Sequence, residues 1–425
     1  MGIMDCFRVD KWPRFVTASQ RFKNVCVEDI PAHIRAQFDE LARECDITDM
    51  RVAVAVGSRG IVSLNIVVRE TVANLKRLGA KPFILPAMGS HGGATPEGQR
   101  QTVELLGITE EAMGAPIVSS LDVEKIGETN VGGQVYVSKD ALAADGIVVV
   151  NRVKMHTSFR GDYESGLLKM MVVGLGKHMG ALTLHELGFE RMALNIVEMG
   201  TMILQKTKIL CGVGIVENAY ERTAEVAVLP ARRILEEEPK LLALSKSLMP
   251  RIPYDELDIL VLRRIGKDIS GDGMDPNITG RYTPYTMEPN YHNVPRIKRF
   301  VCFDLTDASH GCAVGMGHLD VITQRFKDKI DFEMTYTNSI TATVTNTCKM
   351  PIFMPDQRGA LAVAAWTTGV RDTQALKICV IEDTLHLEHL LVSEALVGSE
   401  IPACYVSYGR EVLSMTFDAQ GNLLL

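Results

Sequence analysis

Between Asn151 and Glu186 the chain reads NRVKMHTSFRGDYESGLLKMMVVGLGKHMGALTLHE, and three of its ten histidines, His156, His178 and His185, fall there. One charge, Lys169, stands in the middle of the apolar run 166–176. An ammonium in such a run either snorkels out along its stem or is held in a dry site. In a dry site its pKa falls, and the free amine can act as a nucleophile or a covalent anchor. The nearby imidazoles favour the second use. A fourth histidine, His91, is flanked by Gly89, Gly92 and Gly93, which strip steric cover from its ring. His91, His156 and His185 are together the set that a metal centre or an acid/base site needs.

Those residues need a scaffold, and the pattern predicts one. Residues 51–56, 82–86, 146–150 and 209–216 read as buried strands, with helices over 30–43, 67–78 and from Thr95-Pro96 onward. Alternation of this kind predicts a mainly parallel sheet flanked by helices. Ser58-Arg59, Ser90-His91, Lys154 with His156, and Glu217-Asn218 each follow a strand, where ligands bind in open α/β sheets. A helix over 231–248 leads to Pro250-Arg251-Ile252-Pro253, which reads as a domain boundary. Beyond it come strands over 258–262, 300–305 and 378–381, a helix over 361–368, and two short strands within 411–425 around Gln420-Gly421-Asn422. The loop 264–277 is dense in glycine and acids, and is either a ligand loop or an ordinary polar turn. The fold class expected is α/β with two domains, each a mainly parallel sheet flanked by helices, and an active site in the cleft between them. The first domain spans 1–253, completed by 405–425, and the second 254–404.

Composition narrows the function classes. A net charge of −7 without a basic patch argues against nucleic acid as a partner. Nine cysteines with no Cys-x-x-Cys pair argue for reduced thiols and against a zinc ribbon or an iron–sulfur site. No stretch is long and apolar enough to span a bilayer, so a cytoplasmic enzyme without a membrane partner is expected. There is no G-x-G-x-x-G after the first strand, no Walker A and no H-E-x-x-H. Gly174-Leu175-Gly176-Lys177 suggests a phosphate loop only superficially, since it lies within an apolar helical run.

Gly89-Ser90-His91, the Lys154-Met155-His156 loop, Lys169 and His185 together resemble the lactate racemase family, whose members use a nickel-pincer nucleotide. The resemblance extends over most of the chain. It implies a racemase or epimerase that inverts C2 of a 2-hydroxy acid by hydride transfer. It further implies His91 and His156 as the acid/base pair, Lys169 as the thioamide anchor of the pincer and His185 as the protein ligand to nickel. Arg59, with Ser58 beside it, would hold the nucleotide phosphate, and Lys267 would grip the substrate carboxylate.

The sequence departs from that family in places. Glu164-Ser165-Gly166-Leu167-Leu168-Lys169 replaces the family's Ser-Gly-Gly-Arg-Lys approach to the anchor, which leaves Lys177 as a rival anchor and non-covalent binding open. Arg160, Asp162 and Glu164, with Asp272, Asp275, Asn277 and Arg281, suggest a polar substrate such as a sugar acid or a hydroxy diacid, with Asp275 and Arg281 touching it. The competing reading is a divalent-metal hydrolase or lyase with His91, His156 and His185 all on zinc. A third is a non-catalytic metabolite-binding protein.

Overall fold

The computed structural model describes residues 7, 9–58, 60–281 and 294–425. It divides into two compact units, Asn24–Met249 and Pro250–Leu425, the second also taking Met1–Lys23. The division falls beside Pro250-Arg251-Ile252-Pro253.

The Asn24–Met249 unit is built on five strands in the order Lys81–Pro86, Arg51–Val56, Gly146–Arg152, Ile209–Glu217, Thr223–Pro230. The first four are parallel and the last is antiparallel to its neighbour. Val52 to Val56 and Ile147 to Val150 have almost no exposed surface, as strands covered on both faces require. Val56 is level with both Pro86 and Val150, and Val150 with Val213. That register brings the loops carrying Ser58, His91 and His156 out at the same edge.

Helices close the faces for local reasons. Asp29 caps Ile30–Ala42 by accepting from Ala32 N–H, and Thr95 caps Pro96–Leu105 by accepting from Gly98 N–H at 3.1 Å. The helix that begins at Leu167 is capped from a distance. The buried Glu238 carboxylate, on helix Ile234–Leu248, accepts from Leu168 N–H at 3.1 Å. Gly166 leaves room for it: a Cβ there would lie 2.0 Å from Glu238 Oε1, and the carboxylate would have to shift. From Met170 to Leu175 the helix widens to π geometry, and the chain bends by 112° between Leu167–Leu175 and Lys177–Glu186. No single described helix is long and apolar enough to cross a membrane; this bent pair reaches that length and composition only when its two halves are taken together.

The other unit has five parallel strands, Ile352–Met354, Val321–Thr323, Arg296–Leu305, Glu256–Ile265 and Ile378–Ile381. Antiparallel strands extend them: His389–Ser393, then Arg14–Arg21, then Tyr405–Tyr408 with Leu413–Ser414. The expected completion of the first domain by 405–425 is therefore overturned, and the first strand also crosses over. Arg14–Arg21 buries Phe15, Val16, Ala18 and Gln20 and needs a partner on each side, which its own neighbours in sequence do not supply. Gln20 locks it, donating to Leu387 O at 2.7 Å and Arg251 O at 3.2 Å.

Two outcomes follow for stability. Phe15 has no exposed surface and belongs to the core of this second unit. Phe15→Ala should cost about 3–5 kcal/mol, with hydrogen exchange rising in His389–Ser393 and unchanged in Arg51–Val56. Burial pushes the Glu238 carboxyl up to about 7, against the backbone hydrogen bonds from Leu168 and Leu167. Between about pH 4.5 and 7 the folded chain then holds a proton that the unfolded chain releases, so stability falls as pH rises. Unfolding of Glu238→Gln should lack that slope, shifting in the variant's favour by on the order of 3 kcal/mol across the window.

Candidate active site

The loop after Gly146–Arg152 is closed by its own backbone. Lys154 N–H donates to Ser165 O at 2.8 Å, and Ser165 N–H returns a bond to Lys154 O at 3.1 Å. Inside that closure, Glu164 is buried and accepts from the His156 backbone N–H at 2.8 Å. Lys246 and Arg160 neutralise it, at 2.8 and 3.7 Å. Arg160 also donates to the carbonyls of His156 and Phe159, at 2.7 and 2.9 Å. The polar loop is thus a self-consistent clamp around His156.

The ring of His156 is fixed as well. Its Nδ1 accepts from Ser158 N–H at 3.0 Å, and it stacks on Phe159 with centroids 4.2 Å apart. An Nδ1 that accepts leaves Nε2 to carry the proton of the neutral ring. Burial holds the His156 imidazole well below its usual pKa, and the charges of Lys169, Lys154, His185 and Arg160 push the same way. His185 behaves alike. Burial and then Lys169 lower it to about 4, opposed by a backbone hydrogen bond to Ala181. The structure therefore brings His156, Lys169 and His185 into one electrostatic neighbourhood, in which both imidazoles are neutral at physiological pH.

His91 reaches the same helices by another route. It is exposed on its loop, and Nδ1 shares a hydrogen bond with Ser58 Oγ across the ends of two adjacent strands. The loops themselves rest on the bent helix pair: a Cβ on Gly57 would meet Met170, one on Gly89 would meet Val173 and Ala181, and one on Gly174 would meet Ala87 O. Gly89 itself has φ +61°, a conformation that favours glycine. Arg59 lies outside the described residues.

Other expected residues have structural partners. Lys177 is fully buried and donates to Pro86 O and Gln99 Oε1. Glu217 is held by Arg152 and by Val62 N–H, while Asn218 closes its own turn by accepting from Tyr220 and Arg222 N–H.

Lys267, Asp275 and Arg281 belong to the other unit. Lys267 donates from Nζ to Gly271 O at 2.7 Å. Asp275 caps helix Pro276–Thr279 and binds Asn277 Nδ2 at 2.8 Å. The Arg281 guanidinium meets Asp320 at 2.7 Å and covers the Phe300 ring at 4.0 Å. The groups that suggested a polar substrate, Arg160, Glu164, Asp275 and Arg281, are thus engaged by the protein itself. Sequence reasoning missed Glu164 as the support of His156, Glu238 as the cap of the Lys169 helix, and Gln99. No local signal marks the two acids: Glu238 acts on a helix start remote in sequence, and the Lys246 that neutralises Glu164 is equally remote.

Among the described residues no three His, Cys, Asp or Glu side chains are grouped to hold a metal ion. A zinc centre made of His91, His156 and His185 alone is therefore not assembled.

Residues 55–228, which include Ser58, His91, His156, Lys169 and His185, match a family described as a domain of unknown function (DUF362). That match covers less than half of the chain. No curated protein matches it. Among solved structures, the chain is similar to the lactate racemase apoprotein of Thermoanaerobacterium thermosaccharolyticum, with 13% identity, 90% of this chain and 95% of that chain covered, and a TM-score of 0.48. A likeness of that size decides neither fold nor chemistry.

Proposed function

We propose that this protein is a racemase or epimerase of a 2-hydroxy acid, with His91 and His156 as its acid/base pair and Lys169 and His185 as holders of a nickel-pincer nucleotide. The observation that carries the reading is the half-buried grouping of Lys169 with His156 and His185, two imidazoles whose pKa values are lowered there. A neutral imidazole keeps a lone pair for a metal, and one such donor suits an ion whose other ligands come from an organic group. When bound, that group supplies an acceptor for the C2 hydrogen as hydride and gives it back to the resulting 2-keto acid.

The chain's own residues do the rest. One histidine takes the hydroxyl proton as the C2 hydrogen leaves, and the other returns a proton to the oxygen when hydride reaches the opposite face. His156 is neutral at rest, and its cationic surroundings make any proton that it takes easy to give back. The cationic neighbours, Lys154, Lys169 and Arg160, favour an anionic substrate beside it. Glu164 and Phe159 keep the ring aimed, so that little reorganisation is needed during the reaction.

The test uses protein from a host that co-expresses the enzymes of pincer synthesis. Intact mass with metal analysis should show nickel and an added mass that maps to Lys169; Lys169→Ala should lose the added mass, and His185→Ala should lose nickel. His91→Ala and His156→Ala should each retain cofactor and nickel while racemisation falls about 10²–10⁴-fold. Zinc alone with no nucleotide, or turnover that survives both histidine substitutions, would overturn the reading.

A further inference from the structure

Lys177 combines two unfavourable features. Its side chain is fully buried, and its backbone has φ +52°, in the region that favours glycine. It stands at the 112° break between the helix that carries Lys169 and the helix that carries His185. Both features persist in the fold, so the contacts of the ammonium must matter there.

Those contacts lead to His91. The ammonium donates to Pro86 O, at the end of strand Lys81–Pro86, and to Gln99 Oε1 at 3.1 Å. An ammonium only donates, so it fixes which end of the Gln99 amide faces it. The Nε2 end is then directed at the histidine loop, 2.9 Å from Gly89 O and 3.4 Å from His91 O. Gln99 is itself fully buried on helix Pro96–Leu105, whose Thr95 cap follows the loop directly. On the other side of the loop, Val173 and Ala181 flank Lys177 by one turn each way, and both would meet a Cβ on Gly89. The bend and the loop are therefore one packed assembly, tied through a single lysine and a single amide.

We propose that Lys177 and Gln99 are positioning residues that set the placement of His91 relative to the Lys169 and His185 helices. Lys177 is then the mechanical centre of the site and not a cofactor anchor. The catalytic meaning of that placement rests on the function proposed above; the placement itself does not, and it is measurable in the protein whatever the reaction.

Gln99→Glu separates the two roles of the amide. It keeps an acceptor for Lys177 and removes both donors to the loop. In this variant the ring nitrogen resonances of His91 should shift, with those of His156 and His185 unchanged. Amide exchange across residues 89–95 should quicken about tenfold. Lys177→Met should give the same pattern, and Lys177→Arg should restore part of it; where the methionine variant fails to fold, Gln99→Glu and Lys177→Arg carry the test. With turnover established, Gln99→Glu should lower kcat with KM little changed. His91 resonances and loop exchange equal to the parent's in folded Gln99→Glu protein would overturn the proposal. Absence of turnover in the parent, with the His91 response intact, would overturn only the reaction.

Discussion

The candidate site depends on one electrostatic constraint: a lysine and two imidazoles share a half-buried space. Crowding three basic groups together with part of their water removed makes simultaneous protonation costly, so the imidazoles give up their protons first. Everything around them serves that arrangement. The helix bearing Lys169 and the loop bearing His156 are both fixed by carboxylates on backbone N–H groups, Glu238 from a distant helix at the helix start and Glu164 from within the loop itself. These acids bind backbone N–H groups, so they stabilise geometry without pairing directly with the imidazoles.

The parallel sheet provides the second layer of order. Because adjacent strands end level, loops distant in sequence emerge side by side, and a hydrogen bond such as Ser58 to His91 can bridge them. The π turn after Lys169 and the sharp bend at Lys177 then let one stretch of chain present Lys169 and His185 from two differently directed helices. A straight helix would project them along a single axis.

Much of this was legible in the sequence where the cause is local. Thr95-Pro96 announces a helix start because the cap acts over three residues, and the strands at 51–56 and 209–216 declare themselves as continuous β-branched and small apolar runs. The His156, Lys169 and His185 grouping was legible from residue type and density. The parts that were not legible depend on partners remote in the chain. Glu164 reads as one more polar loop residue until Lys246 is seen against it. Arg281 reads as a free cation until Asp320 and Phe300 take its guanidinium. Lys177 reads as a possible anchor because composition cannot tell a buried donor from an available amine. Residues 14–21 carry no clear strand period, since Phe15 and Val16 are both buried, and their partners lie more than 360 residues on.

The placement of that first strand has a consequence for biosynthesis. Arg14–Arg21 is made long before the strands that flank it, His389–Ser393 and Tyr405–Tyr408. At about 5–20 residues per second, the wait is on the order of 20–70 seconds. The Asn24–Met249 unit holds every partner of its own five-stranded sheet, so its strands can pair during that interval. Arg14–Arg21 meanwhile lacks the partners that cover its edges and bury Phe15 and Val16, which leaves it open to pairing with another chain.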